Sequence, residues 1–249
     1  MADGRAEPQT GQAPVLELTG IRFGWRPGGP PLLSVGHLAV GRGERVLVRG
    51  PSGSGKTTLL GLMAGVSRPD RGEVRLLGAP FSAAPAARRD RLRADHVGYV
   101  FQLFNLVPYL TARENILLAL RFSKRRAARL AEMGRQGRAE AERLAAGLGL
   151  PPDLLDRHPR ALSVGQQQRV ASARALIGAP ELILADEPTS ALDEEVRGRF
   201  LDLLFAECAG SGTAAVVVSH DRDLVPYFGR VVEIADLQAE DRRAPVEPA

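Results

Sequence analysis

The segment GPSGSGKTT, from Gly50 to Thr58, constrains this chain more than any other feature of its sequence. It matches the pattern G-x-x-x-x-G-K-[ST], with a strand candidate at 46–48 before it and a helical run at 57–66 after it, which is the context that the pattern requires. The glycines let the backbone curl around an anion, and the helix N-terminus adds unpaired N–H groups. The segment therefore predicts a polyphosphate site made by Gly50, Pro51, Ser52, Gly53, Ser54, Gly55, Lys56, Thr57 and Thr58.

The lysine of this loop has a specific predicted role. Lys56 would bridge the terminal phosphates, and the Thr57 hydroxyl would be one ligand of a magnesium ion that keeps most of its water. Of the 33 basic residues, only Lys56 and Lys124 are lysines, and the others are arginines. Because an ammonium is a compact point charge and a guanidinium is a flat fork, a lysine in this loop of an arginine-rich chain supports the phosphate-binding interpretation.

Length and composition limit the classes that the chain can belong to. Its 249 residues suit one large α/β domain, or one domain with a subdomain. The net charge of +4 allows an anionic partner without requiring one. Cys208 is the single cysteine, which excludes disulfides and cysteine metal clusters within the chain, and its helical pattern predicts that it is buried.

Neither a signal peptide nor a membrane span is predicted. Residues 1–14 contain acids and prolines and no apolar run, so we expect a disordered leader and a cytoplasmic location. No segment approaches the roughly 18 continuous apolar residues of a spanning helix. If the protein acts at a membrane, we expect another chain to span that membrane. The charged, proline-rich residues 237–249 predict a disordered tail.

Hydrophobic periodicity predicts an α/β chain that begins with strands. Strands are expected at 15–25, 32–40, 45–48, 73–77, 97–101, 182–185, 213–219 and 231–234. Helices are expected at 57–66, 111–122, 163–177 and 194–209, with a short basic helix within 79–93. Capping boxes, which are Thr111 with Glu114 and Ser163 with Gln166, begin two of these helices. The arginine-rich segment 121–143 favours a solvated helical face over attraction to anionic headgroups.

Two strand ends carry the candidate chemistry. Asp186 follows four apolar residues, the usual place for a carboxylate that holds magnesium opposite the loop hydroxyl. Glu187 faces elsewhere because successive strand residues alternate, so it is free to orient or deprotonate a water. His220 ends another apolar strand and would hydrogen-bond to the γ-phosphate or to that water. Taken alone, such a histidine is more often structural.

Trp25 precedes the phosphate loop and has two interpretations of equal weight. It would either stack on a nucleotide base, contributing about 1 to 3 kcal/mol, or be buried in the core. The sequence leaves both open.

The ordered set GPSGSGKT, Gln102, LSVGQ at 162–166, LILADE at 182–187, SALD at 190–193 and His220 resembles the ATP-binding subunit of ABC transporters over residues 15–236. The resemblance implies an α/β P-loop NTPase core of the ABC ATPase type, with an N-terminal antiparallel β subdomain and a helical subdomain at about 103–170. It further implies the cofactors ATP and Mg²⁺.

Residue roles follow from the same resemblance. It implies that Trp25 stacks on adenine, that Gln102 senses the γ-phosphate and is a magnesium ligand with Thr57 and Asp186, and that Glu187 and His220 are catalytic. It assigns Ser163, Gly165, Gln166 and Asp193 to contacts around the ATP at a dimer interface. Val164 stands where the family usually has a glycine, which leaves the backbone approach to that ATP in question.

With one phosphate loop and one LSVGQ segment, the resemblance implies a head-to-tail homodimer that holds two ATP molecules between its subunits. The chain looks most like the branch of lipoprotein-release, macrolide-export and cell-division cassettes. That branch implies a separate transmembrane permease of the FtsX/MacB kind and a peripheral location on the cytoplasmic face of the membrane. Leu103, Phe104, Leu106 and Tyr109 are expected to receive the permease.

A cassette of this kind has other possible roles. A mechanical regulator that moves no solute stays open beside export. A soluble ABC ATPase acting on DNA or ribosomes is disfavoured, because the chain has neither a long insertion between Gln102 and Ser163, nor zinc cysteines, nor a second cassette. We therefore expect no nucleic-acid partner.

Overall fold

The computed structural model describes residues 13–26, 29–190, 192 and 194–243. A five-stranded parallel sheet lies at its centre, in the order β6-β7-β8-β3-β9. The strands are β3 (Arg45–Arg49), β6 (Val97–Val100), β7 (Leu182–Asp186), β8 (Ala214–Ser219) and β9 (Arg230–Glu233). Parallel strands need crossover connections, and here the crossovers carry α1 (Lys56–Met63), α2 (Ala86–His96), and α7 (Glu194–Ser211).

A second, antiparallel sheet is built mainly from the start of the chain, in the order β2-β1-β4-β5. Its strands are β1 (Leu16–Phe23), β2 (Leu33–Val40), β4 (Arg71–Leu76) and β5 (Ala79–Pro80). β1 pairs with β2 from Leu16 opposite Val40 to Phe23 opposite Leu33. The predicted α/β fold class with an antiparallel sheet at the N-terminus is confirmed.

The core has two parts because the central strands are apolar on both faces. Leu47, Ile183 and Val217 belong to the cluster on one face, and their neighbours along the same strands belong to the cluster on the other. Strands buried on both faces are typical of parallel sheets covered by other elements on each side. Cys208 is buried and free, as predicted.

Four helices lie between β6 and β7. They are α3 (Ala112–Phe122), α4 (Lys124–Glu132), α5 (Gly137–Gly147) and α6 (Val164–Leu176), with short 3₁₀ turns at Pro152–Leu154 and Pro159–Ala161. Both predicted capping boxes are present, at Thr111 with Glu114 and at Ser163 with Gln166. Each box fixes the start of its helix by satisfying two backbone N–H groups.

Segment 121–143 differs from its predicted single solvated helix. It forms parts of three helices, with breaks at Ser123, which caps α4, and at Gly134, which has a positive φ. Arg126 on α4 is buried, and its Nη1 donates to the carbonyls of Ala175 and Ile177 at 3.2 and 3.3 Å. Burial lowers the pKa of Arg126 to about 10. The Arg126 guanidinium therefore faces neither solvent nor a lipid headgroup. It joins α4 to the end of α6.

The tail prediction is wrong for part of its length. Helix α8 covers Ile234–Arg243, so residues 237–243 are helical where disorder was expected. The reason is apolar packing, because Ile234 and Leu237 are buried in the core. Residues 244–249 lie outside the described part, as do residues 1–12 of the predicted leader. A helix in the described part of the chain that is both long and apolar enough to cross a bilayer is not found.

Glu181, just before β7, is the centre of a buried ionic cluster. Its carboxylate contacts His96 Nδ1 at 2.9 Å and Arg129 Nη2 at 2.5 Å. Burial by itself raises the pKa of Glu181, but the hydrogen bonds from His96 and Arg129 outweigh that effect and hold the pKa at about 2. The cluster joins the end of α2, helix α4 and the central sheet.

We expect the stabilisation by Glu181 to be lost in acid. Because its folded pKa lies below the ordinary value of 4.5, the contribution is complete above about pH 4.5 and disappears as the pH falls toward 2. Glu181→Gln should lower the free energy of unfolding at pH 7 by on the order of 2 kcal/mol, after allowance for solvent screening. Urea denaturation of both proteins at pH 7, 4.5 and 3 measures the difference. Glu132→Gln, at an exposed site on α4, is the control, and a pH-independent difference would contradict the assignment.

Candidate functional site

The phosphate loop connects β3 to α1, as the sequence predicts. Gly53 and Gly55 adopt φ values of 79° and 96°, a region that only glycine occupies without strain. Gly55 is the N-cap residue of α1 and supplies no side-chain cap. The first N–H groups of the helix are therefore left for a ligand, and their partial positive charge favours an anion.

Lys56 is held in place by the loop itself. Its Nζ donates to the carbonyls of Gly50 at 2.8 Å and Pro51 at 3.0 Å, and the side chain is buried. Glu187 Oε1 lies 3.7 Å from the same nitrogen. The ammonium is thus oriented across the loop before any phosphate arrives.

Two observations test whether the loop suits a nucleotide. Ser54 Oγ is buried and has no hydrogen-bond partner among the described residues, so a polar group is ready for a ligand. Gly50 has no room for a side chain, since a Cβ there would lie 2.5 Å from Ile234 Cγ2 and 2.9 Å from Ser54 Oγ. An orphaned hydroxyl in a tightly packed glycine loop fits a bound phosphate.

Asp186 ends β7 and faces the loop. Burial raises its pKa, although a hydrogen bond from the Thr57 hydroxyl acts in the opposite direction. A buried carboxylate against a hydroxyl is a fitting pair of oxygen ligands for Mg²⁺, which takes one or two protein ligands and keeps its waters. Thr57 and Asp186 therefore lie together, with chemistry that fits Mg²⁺, and their role as its ligands stays a prediction.

Glu187 contacts residues from the other parts of the site. Its Oε1 accepts hydrogen bonds from the His220 backbone N–H at 3.1 Å and contacts His220 Nδ1 at 2.8 Å. Its Oε2 accepts from Ser219 Oγ at 2.8 Å. The carboxylate, which is mostly buried, is fixed by one strand end and faces Lys56 from another. Both carboxylate oxygens therefore have hydrogen-bond partners that fix the orientation of the group.

The backbone at Glu187 is strained. Its φ of 44° lies in the left-handed region, which non-glycine residues rarely adopt. The Glu187 N–H donates to the Val218 carbonyl at 3.0 Å, and the Glu187 carbonyl accepts from Ser190 N–H at 3.2 Å. Strain that the surroundings maintain at a carboxylate in a site favours a functional role for it.

Trp25 is 69% exposed and makes an edge-on contact with Phe23, with ring centroids 5.0 Å apart. The interpretation that it is buried in the core is therefore wrong. Its indole is available on the surface, and its stacking on adenine stays a prediction.

Gln102 follows β6 and is exposed. The next residues turn sharply, with positive φ values at Phe104 and Asn105. Arg174 on α6 holds this turn by donating to the carbonyls of Phe104 at 2.5 Å and Asn105 at 2.7 Å. Sequence analysis did not find Arg174, because nothing in a helical pattern says which distant carbonyls an arginine will reach.

The LSVGQ segment forms the N-terminus of α6. Ser163 Oγ accepts from Gln166 N–H at 3.3 Å, and Gln166 Oε1 accepts from Ser163 N–H at 2.9 Å. Gly165 packs toward Leu192 and Arg169, and Val164 is 49% exposed. The polar contacts of the capping box stay within the segment, so its outer surface is open. Asp193 lies outside the described residues.

The structure thus gathers most of the predicted site residues at one place. Lys56 and Glu187 approach each other directly, Thr57 reaches Asp186, and His220 binds Glu187. Trp25 and the LSVGQ segment make their described contacts elsewhere. Ser219 was missed by sequence analysis, since a serine at a strand end carries no signal of its own, yet it fixes Glu187.

The sequence pattern of the ABC transporter family matches residues 33–190, well over half of the chain. The chain belongs to the ABC transporter family. It carries the ATP-binding, ATP-hydrolysing part of that family, which confirms the resemblance seen in the sequence.

Relatives place the chain in one group of the family. It is 40% identical to the ABC transporter ATP-binding protein YbbA of Escherichia coli (strain K12) over 205 residues, which are 82% of this chain and 86% of YbbA. It is 40% identical to the lipoprotein-releasing system ATP-binding protein LolD of Anaeromyxobacter dehalogenans over 235 residues, 93% of this chain and 94% of LolD. The macrolide export ATP-binding/permease protein MacB 1 of Aeromonas hydrophila is 40% identical over 95% of this chain, which covers 36% of MacB 1.

A solved structure shares the ABC fold at moderate identity. It is the dimeric, post-hydrolysis state of the ATP-binding cassette MJ0796 bound to ADP and Pi. The TM-score is 0.78 and the identity 34%, over 88% of this chain and 93% of that one. The ABC transporter assignment therefore has support from sequence and from fold.

Proposed function

We propose that two copies of the chain close head to tail around two ATP molecules and that hydrolysis reopens them. The observation that carries this proposal is the open LSVGQ segment. It presents a helix N-terminus, an anion site by the same physics as the phosphate loop, while its own polar contacts stay internal. A second copy supplies the missing γ-phosphate contacts in this arrangement, and the dimeric MJ0796 cassette supports it by analogy.

Within each site the residues divide the work. The loop N–H groups and Lys56 bind the phosphates, and the strained Glu187 accepts the proton of the attacking water. His220 and Ser219 hold that carboxylate in position. Thr57, Asp186 and Gln102 would hold Mg²⁺, which would neutralise negative charge on the phosphates. Ser163, Gly165, Gln166 and Asp193 complete the site from the other copy.

Trp25→Ala is expected to raise the KM for ATP about tenfold and to change kcat less than twofold. The exposed indole contributes by stacking on the base, which corresponds to about 1 to 3 kcal/mol, and it touches no reacting atom. Steady-state ATPase assays over a range of ATP concentrations measure both constants. Trp25→Phe keeps a stacking surface and should retain most of the affinity. Unchanged nucleotide affinity in Trp25→Ala would remove the stacking role.

We further propose that a separate permease docks on an exposed apolar surface, here called the docking surface. It comprises Phe101, Leu103, Tyr109 and Phe122, of which the last three are 83%, 78% and 74% exposed. Tyr99, which stacks on Phe101 at 4.2 Å, lines a cavity of about 510 Å³ between α2, β6, α3 and α6. Phe122 lines the same cavity, and exposed aromatic and aliphatic groups of this kind are typical of a contact site.

The relatives indicate what occupies this surface. MacB 1 is named an ATP-binding/permease protein, and this chain matches about a third of it, so a permease part belongs with such a cassette. In this chain the permease would be a separate subunit of the FtsX/MacB kind, and the cassette would sit on the cytoplasmic face of the membrane. Of the predicted contact residues, Leu106 instead packs partly against the core, and Phe104 is half-buried rather than exposed.

Crosslinking tests the docking surface. Leu103→Cys and Phe122→Cys are each paired with single cysteines placed along the cytoplasmic loops of a co-expressed permease. Specific crosslinks at both positions are expected. Met133→Cys, which is also exposed and apolar but lies at the end of α4, is the matched control and should not react. Reaction at Met133 alone, or at no position with an active transporter, would place the permease elsewhere.

A further inference from the structure

The first turns of α7 pack against the turn that carries His220. Arg197 Nη1 forms an ion pair with Asp221 Oδ2, in which both side chains are largely buried. One residue later, a Cβ on Gly198 would lie only 2.5 Å from the Tyr227 hydroxyl, so the helix and the segment after His220 approach closely. The ion pair joins the turn 219–223, defined here as the histidine turn, to α7, and the close approach at Gly198 joins the segment after that turn to the same helix.

The ion pair connects to Glu187 through a short series of hydrogen bonds. Asp221 Oδ1 accepts from the Asp223 N–H at 2.9 Å, and the Asp221 N–H donates to Ser219 Oγ at 3.2 Å. The same Ser219 Oγ donates to Glu187 Oε2 at 2.8 Å. Asp221 thus stands between Arg197 and the hydroxyl that orients the proposed base.

Arg197 also lies close in sequence to the segment 190–193, which follows Glu187 and leads into α7. The Glu187 carbonyl accepts from Ser190 N–H, and α7 begins at Glu194. At the start of α7, Arg197 holds Asp221 through a charge-assisted pair, which is about twice as strong as a neutral hydrogen bond.

We infer that Arg197 is a positioning residue for ATP hydrolysis. It holds Asp221, and through it the histidine turn, so that Ser219 and His220 keep Glu187 directed at the attacking water. Without the guanidinium, the Asp221 carboxylate keeps only its bond from the Asp223 N–H, and the turn loses its ionic link to α7. ATP binding by Lys56 and the phosphate loop does not depend on this pair. The inference rests on the proposed function, because it assigns Glu187 and His220 to hydrolysis.

The test compares kcat with KM in Arg197→Ala. We expect kcat to fall at least tenfold while the KM for ATP stays within twofold, and Arg197→Lys to recover a large part of kcat because it keeps the charge. Asp221→Asn should resemble Arg197→Ala, and the double variant should be no slower than either single one, since both remove one interaction. Arg199→Ala, on the exposed side of the same helix, is the matched control and should behave as the unmodified chain.

Three results would overturn the positioning role of Arg197 while leaving the proposed function intact. They are equal kcat values in Arg197→Ala and Arg199→Ala, additive effects of the Arg197 and Asp221 substitutions, and a loss that is confined to the melting temperature. A chain that hydrolyses no ATP before any substitution would overturn the proposed function itself. If Arg197→Ala does not fold, Arg197→Lys and Asp221→Asn still give the comparison of kcat with KM.

Discussion

Glu187→Gln is expected to lower kcat by about three orders of magnitude, within the range of 10² to 10⁴ that a general base contributes. The amide has nearly the same shape, and its oxygen can still accept from the His220 N–H while its NH2 faces the Ser219 hydroxyl as a donor, but it cannot take a proton from water. ATP binding should persist, because Lys56 and the loop N–H groups are unchanged. The variant should therefore accumulate as an ATP-bound dimer.

Size-exclusion chromatography with ATP and magnesium, together with phosphate release, measures both effects. Glu132→Gln makes the same chemical change at an exposed site on α4 and should leave the rate and the dimerisation behaviour as they were. A Glu187→Gln protein that stays monomeric with ATP, or that hydrolyses ATP at the ordinary rate, would remove Glu187 from the role of base.

Lys56→Ala is expected to weaken ATP binding by about a hundredfold. The ammonium is buried and fixed by the carbonyls of Gly50 and Pro51, so it meets the phosphates without reorganisation. Hydrogen bonds to charged groups contribute about 1.5 to 3 kcal/mol each, which corresponds to roughly 10- to 150-fold in affinity. Isothermal titration with ATP measures the change.

The chain provides a matched control for this substitution. Lys124→Ala removes its only other lysine, which is exposed at the start of α4. Equal losses of ATP affinity in the two variants would indicate a general charge effect rather than a phosphate contact. A melting curve of Lys56→Ala shows whether the buried site tolerates the change, and Lys56→Met keeps the apolar stem if it does not.

The sequence predicted the central sheet well, because strands such as β3, β7 and β8 are continuous apolar runs that end at glycines or polar residues. The capping boxes at Thr111 and Ser163 were also correct, since their chemistry is local. The approach of Lys56 to Glu187 could be expected only from the family pattern. The distance between Lys56 Nζ and Glu187 Oε1 depends on how strands β3 and β7 align in the parallel sheet.

Other parts could not be read from local patterns. Arg126 and Glu181 are buried by partners on distant helices and strands, so periodicity alone placed Arg126 on a solvated face. Helix α8 is stabilised by the burial of Ile234 and Leu237, whereas composition there suggests disorder. The left-handed φ of Glu187 occurs together with backbone hydrogen bonds to Val218 and Ser190, and a glutamate in the sequence does not predict it.

The most direct measurement of the central claim is a disulfide between two copies. Ser52→Cys in one copy and Val164→Cys in another, both in the Glu187→Gln background, place thiols on the phosphate loop and on the LSVGQ segment. Cys208 is buried and should not interfere. Mild oxidation with ATP and magnesium should give a covalent dimer that contains one copy of each variant, and oxidation with ADP or without nucleotide should give none. The absence of that dimer with ATP, or its formation to the same extent without nucleotide, would contradict the shared site.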